Sequence, residues 1–162
     1  MIDKHVLLII DVQQGFINER THHVPAAVEA LQEDYEHVIV TRFNNPEGSP
    51  YRQLIGWDRF TPGSNDTKFA FTPRKDAMII DKSTYTCINK AFLAKLNDWD
   101  TRIIDLCGIA TDNCVLKCAV DLFEAGRVPR ILSSYCASHG GPDCHEAGLL
   151  LLRRLIGENQ VI

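Results

Sequence analysis

The sequence predicts an α/β fold, a parallel sheet with helices on its faces, built as a single domain over residues 1–162. Two observations lead there. Short apolar runs recur without the polar alternation of a half-exposed strand, and the stretches between them carry apolar residues at helical spacing. A third observation keeps them in one core: no repeat, low-complexity stretch or linker interrupts the 162 residues.

Val6-Leu7-Leu8-Ile9-Ile10 reads as a strand buried on both faces. Val38-Ile39-Val40, Ala77-Met78-Ile79-Ile80 and Ile103-Ile104-Asp105-Leu106-Cys107 are similar runs. Val128 to Leu132 is weaker, with Pro129 near its start, where a missing N–H costs least. Between the runs, Pro25 to Tyr35 opens with proline at a helix-start position. Asn89 to Trp99 sets Phe92, Leu96 and Trp99 at i, i+4 and i+7. Thr111 to Ala125 stops at Gly126, with Thr111 as the expected N-cap. Pro142 to Ile156 places Ala147, Leu151 and Leu155 on one face and stops at Gly157, and Val161-Ile162 is a candidate last strand. Strands alternating with helices mean βαβ units with right-handed crossovers and three layers. The exception is Phe43 to Lys75, rich in Pro, Gly and Asn and without periodicity, which reads as a binding or lid element.

Composition narrows the function classes. Hydrophobic residues make up 45% and charged residues 23%, a globular balance. A net charge of -4 argues against a nucleic-acid surface, which needs a basic excess to displace counterions. No apolar run approaches the ~20 residues that span a bilayer. The apolar run after Met1-Ile2-Asp3-Lys4-His5 is too short for a signal peptide. A cytoplasmic location is therefore expected, with the 6 cysteines as thiols and a small molecule as the partner. No CxxC pair is present, and Cys114 with Cys118 lacks the second pair of a zinc site.

In open parallel sheets, ligands bind beyond the carboxyl ends of the strands, where strand order reverses. Asp11 closes the first run, Lys82 follows the run ending at Asp81, and Cys114 begins the helix after the fourth run. Singly, each has an ordinary structural explanation: a turn aspartate, a solvated lysine, a packed cysteine. Together on one sheet edge they read as a site. Cys114 is the most informative, because the first helical turn favours a thiolate and offers unpaired N–H groups to an oxyanion. Cys107 lies in a strand, Cys118 one turn deeper in the helix, Cys87 before the third helix, and Cys136 and Cys144 near the last loop. His139 and His145 are alternative partners for a Cys–His dyad, whereas His22 and His23 read as surface residues.

Asp11-Val12-Gln13-Gln14-Gly15-Phe16, Lys82-Ser83-Thr84-Tyr85, Gly108-Ile109-Ala110-Thr111-Asp112-Asn113-Cys114-Val115 and the stretch His145-Glu146-Ala147 to Ile156 follow one another in order. This series resembles the isochorismatase-like cysteine hydrolases, a family that includes nicotinamidases and N-carbamoylsarcosine amidase. The resemblance covers nearly the whole chain, and the stretch ending at Cys114 is its most specific part. It implies a six-stranded parallel sheet in the order 3-2-1-4-5-6. Asp11, Lys82 and Cys114 would then be the catalytic set, and a cis peptide before Ala110 would turn the Ala110 and Cys114 N–H groups toward the substrate oxygen. Lys82 would stand two strands from Asp11, about 10 Å at ordinary strand spacing, a gap that a lysine stem mostly covers. The resemblance also implies a homo-oligomer, a dimer or tetramer.

Two departures bear on substrate and metal. In metal-dependent nicotinamidases an Asp-x-His-Pro pattern follows the second strand; here Phe43 and Asn45 stand at the ligand positions, and no metal or other cofactor is expected. Ser134-Tyr135 replace the family's Asp-Ala after the fifth strand. Phe16, Arg42, Asn45, Tyr51, Trp57 and Tyr85 are the candidate pocket residues. The expected activity is hydrolysis of a small amide, ureide or carbamoyl compound through a Cys114 thioester, with Asp11 as base and Lys82 as its electrostatic partner. Two rivals remain: a vinyl-ether hydrolase of the isochorismatase type, which needs no thiol, and a non-catalytic ligand-binding or thiol-sensing protein.

Overall fold

The structure, a computed structural model, describes residues 5–162; the reading of the first four residues lies outside them. Five parallel strands form one sheet in the order β3-β2-β1-β4-β5. In chain order they are β1 (His5–Ile10), β2 (His37–Phe43), β3 (Met78–Lys82), β4 (Ile103–Ile109) and β5 (Val128–Ala137). The helices flanking the sheet are α1 (Val24–Leu31), α2 (Pro50–Ile55), α3 (Lys90–Asp98), α4 (Leu116–Glu124) and α5 (Pro142–Ile156). None is long and apolar enough to cross a membrane.

The apolar runs explain the strand order. Val6 to Ile10 are fully buried, as the central β1 requires, while edge strand β3 leaves Ile79 exposed. The expected sixth strand is reduced to one parallel bridge between Val161 and Ile131. The Ile162 N–H donates to the Ile131 carbonyl and its own carbonyl accepts from the Ser133 N–H. A two-residue segment supplies too few rungs to count as a strand. β5, in contrast, runs past Leu132 to Ala137, so Ser134 and Tyr135 lie inside a strand rather than after it.

Two glycines set the geometry of the sheet edge. Register between β4 and β5 shifts between Leu106 and Gly108. Gly108 has φ +117°, and a Cβ there would stand 2.1 Å from the Ile10 carbonyl oxygen. Only glycine lets β4 lie so close to the end of β1, bringing Asp11 beside the turn that carries Cys114. On α5, a Cβ on Gly148 would meet the Asp112 backbone at 2.9 Å, so the helix rests directly on that turn.

Two local expectations are corrected, and a third stretch is given detail. Thr111 is not an N-cap: residues Thr111–Val115 form one π-helical turn ahead of α4, and the Thr111 hydroxyl is hydrogen-bonded to His145 Nδ1 at 2.7 Å. On α5 the buried face is Gly148, Leu149, Leu152 and Ile156, whereas Leu151 and Leu155 are exposed. The nonperiodic stretch from Phe43 to Lys75 contains α2 and a short 3-10 turn, Asn65–Thr67, and is packed down by a buried Phe60.

Candidate active site

Asp11, Lys82 and Cys114, far apart in sequence, meet beyond the carboxyl ends of β1, β3 and β4. Lys82 Nζ is 2.7 Å from Asp11 Oδ2 and 3.5 Å from Cys114 Sγ, and it donates to the Thr84 carbonyl at 2.8 Å. Lys82 spans the width of β2 to reach Asp11, passing 5.2 Å from the Phe43 ring centroid. The three side chains are buried. Asp11 is fixed from its other side: Thr41 on β2 donates its hydroxyl to Asp11 Oδ1 at 2.7 Å and accepts the Asp11 N–H at 3.1 Å. Asp11 adopts φ +50°, a left-handed conformation that an aspartate tolerates better than most residues.

The electrostatics define a resting state. Burial alone would push Lys82 down, but the neighbouring Asp11 carboxylate and Cys114 sulphur outweigh it, and the ammonium is held well above its ordinary value. Burial pushes the Cys114 thiol well up, the Asp11 charge adds to this, and Lys82 offsets only part. The helix-start setting therefore does not yield a standing thiolate. The group rests as a thiol beside the Lys82–Asp11 pair.

Beside this set opens a small pocket, about 450 Å³ with its open mouth counted. One wall is aromatic: Phe16, Trp57 and His139 stand together, with ring centroids 4.8 Å apart for Phe16 and His139 and 5.6 Å for Trp57 and His139. Opposite them, Tyr51 and Tyr85 meet edge to face at 5.1 Å, and Phe43 meets Tyr51 at 5.2 Å. Ile55, Ala110, Asn113 and Cys114 complete the lining. The Ile109–Ala110 peptide is cis, as expected.

A family model for the isochorismatase domain matches residues 5–159. The chain belongs to the isochorismatase family. Solved structures agree with this fold. An isochorismatase-like hydrolase from Alkaliphilus metalliredigens superposes with a TM-score of 0.84 at 19% identity, covering 98% of this chain and 93% of that one. A nicotinamidase from Bacillus subtilis gives 0.78 at 22% identity, covering 98% of each chain. A pyrazinamidase of Pyrococcus horikoshii in complex with zinc gives 0.80 at 18%, covering 98% of this chain and 97% of that one. No curated protein matches the sequence.

Within this isochorismatase-family chain, the predicted pocket residues divide. Phe16, Tyr51, Trp57 and Tyr85 line the pocket. Asn45 does not: it is fully buried, its amide donating to the Trp57 and Arg59 carbonyls at 2.7 and 2.9 Å and accepting from the Ser49 hydroxyl. It holds the loop that presents Trp57. Arg42 does not either; its guanidinium is paired bidentately with Asp81 at 2.6 and 3.0 Å. Nor do these residues fit a metal. Phe43 offers only a ring, the Asn45 amide is spent on main-chain carbonyls, and no group of three His, Cys, Asp or Glu suited to a metal exists among the described residues.

The histidine alternatives also resolve. His145 is engaged by Thr111 and so ties α5 to the turn of Cys114, while His139 is packed at a tilt against Phe16. Neither shares a hydrogen bond with Cys114 among the described residues. What sequence reasoning missed was Thr41, Phe43, Ile55 and Asn113, together with His139 as a wall rather than a base. The one available signal was Thr41, a hydroxyl breaking an apolar strand next to its carboxyl end.

Proposed function

We propose that the chain is a cysteine-dependent hydrolase of small amides, ureides or carbamoyl compounds. The observation that carries this reading is the Lys82 ammonium, 2.7 Å from the Asp11 carboxylate and 3.5 Å from the Cys114 sulphur, beside an aromatic pocket. Asp11 takes the thiol proton as the sulphur attacks the carbonyl carbon, forming a C–S bond and an oxyanion. The N–H groups of Ala110 and Cys114 stabilise that oxyanion. Collapse breaks the C–N bond, protonated Asp11 passes its proton to the departing amine, and a thioester remains. Water, deprotonated by Asp11, then attacks the thioester; the C–S bond breaks, the acid leaves, and the thiol regains its proton. Lys82 keeps charge on Asp11 favourable and lowers the cost of the sulphur anion in the transition state. Two of the superposed structures are a nicotinamidase and a pyrazinamidase, which supports an amide as the first class to try.

The test is a screen of small amides, ureides and carbamoyl compounds for ammonia release. Wild-type protein is expected to turn over at least one, and Cys114→Ala is expected to lose about four orders of magnitude or more in rate. Equal ammonia release by the two proteins would remove the thiol from the reaction, and no release from any compound would leave vinyl-ether chemistry as the rival reading.

A further inference from the structure

The hydrolytic steps leave a polar side chain of the pocket unused. His139 follows β5 and lines the cavity that also exposes Cys114. Its ring is packed on Phe16, 4.8 Å between centroids and tilted by 37°, and lies 5.6 Å from Trp57. Its backbone is fixed, the carbonyl accepting from the Asn18 amide at 3.1 Å. The next residue is held too, with the Gly140 N–H donating to the Ser138 hydroxyl at 3.1 Å. Nδ1 of this half-buried imidazole is shielded from solvent by its packing and makes no hydrogen bond. A polar atom left unpaired costs stability, roughly 1–3 kcal/mol, and a ligand that offers it a partner recovers that cost.

We propose that His139 is a specificity residue for the hydrolase reading above: it positions the acyl group of the substrate and selects acyl groups that carry a hydrogen-bonding atom over hydrocarbon ones of equal shape. Phe16 and Trp57 beside His139 offer ring faces that hold a flat group, while Asn113, Tyr51 and Tyr85 line the pocket elsewhere. The imidazole is the polar group on that wall. Burial holds its pKa below the ordinary histidine value; Asp112 on the turn of Cys114 opposes this, and Arg59 on the segment after β2 reinforces it. At neutral pH the ring is therefore neutral and both donates and accepts, one nitrogen for each. A site built to hydrogen-bond a substrate discriminates strongly against an analogue lacking the atom, since its own buried group is then left unpaired.

The experiment uses Cys114→Ala protein, which cannot consume the probe, and measures binding by calorimetry. Picolinamide, nicotinamide and isonicotinamide move a ring nitrogen through its three positions, and benzamide matches their shape without it. At least one pyridine carboxamide is expected to bind about tenfold tighter than benzamide, with the His139 imidazole nitrogens shifting in NMR spectra on binding. In a background with His139→Phe, which keeps the aromatic wall, the preference is expected to vanish while benzamide binding persists. His139→Gln, which keeps a hydrogen-bonding group, is expected to restore part of it. Equal binding of all four amides, no binding of any, or a preference that survives His139→Phe in a protein with unchanged melting temperature overturns the proposal. None of these readings requires turnover. Loss of the preference in a protein that releases no ammonia would uphold His139 and fail the hydrolase reading alone.

Discussion

Asp105 and Asp11 are both buried carboxylates of the two central strands, one near the start of β4 and the other just beyond the end of β1. Asp105 is saturated. Arg130 grips it bidentately at 2.6 and 2.7 Å, and the Tyr35 hydroxyl donates to it at 2.7 Å. Burial and the Asp105 charge push the Tyr35 hydroxyl well up, so it stays a donor at any physiological pH. Asp11 has a compact lysine head on one oxygen and a threonine hydroxyl on the other, and beyond the lysine lies a thiol facing a cavity. A fork of fixed N–H donors closes a carboxylate off, whereas a lysine point charge stabilises it and leaves room for proton exchange. The same residue type on the same sheet therefore serves structure in one place and, on our reading, chemistry in the other.

Removing charge from each carboxylate separates the two. Asp11→Asn keeps the shape but cannot accept the thiol proton, and turnover is expected to fall by about three orders of magnitude or more in a kcat measurement. Asp105→Asn leaves activity per folded molecule near normal and lowers stability instead. The expected loss in urea unfolding is about 3 kcal/mol, the low end for breaking a buried pair, because Arg130 keeps some access to water. Reversed results, with Asp105→Asn inactive at full stability and Asp11→Asn active, would dissolve the contrast.

A smaller effect sharpens the role of Lys82. Since its cation lowers a thiol that burial and Asp11 raise, Lys82→Met removes the only opposing influence among these, and Cys114 titrates higher still. The pH dependence of iodoacetamide labelling at Cys114, mapped by mass spectrometry, is expected to move upward by about one pH unit. The smallest effect concerns Thr41. Thr41→Val removes both the hydrogen bond to the Asp11 carboxylate and the acceptor of the Asp11 N–H at constant shape, and kcat is expected to fall about tenfold or more with KM unchanged. A change in KM alone would assign Thr41 to packing.

Much of this was legible in the sequence, for physical reasons. Strands buried on both faces must be apolar throughout, so β1, β2 and β4 announce themselves, and the strand–turn–helix pattern ending at Cys114 marks the sheet edge. Lys82 and Asp11 follow from the rule that sites form at carboxyl ends. Legibility fails where pairing with a neighbour overrides local pattern. Ser133, Ser134 and Tyr135 look like a loop, yet β4 continues the ladder and extends β5 to Ala137. The face of α5 that is buried depends on the close approach of Gly148 to the turn of Cys114, which no helical period encodes. Asn45 looks like a polar pocket residue, but its amide closes the loop behind Trp57. His139, like His145, stays open in the sequence as an alternative partner for Cys114, because nothing there distinguishes an imidazole aimed at sulphur from one packed against Phe16.

The central claim is that Cys114 carries the acyl group between two halves of one reaction, with Asp11 handling the proton. The most direct measurement is intact-protein and peptide mass spectrometry of wild-type protein quenched in acid during turnover of an amide found in the ammonia screen. The account predicts a mass increment equal to the acyl group, located on Cys114, which disappears when substrate is exhausted and never forms in Cys114→Ala. Steady ammonia release by Cys114→Ala, or an acyl increment on any other cysteine with Cys114 unmodified, would contradict it.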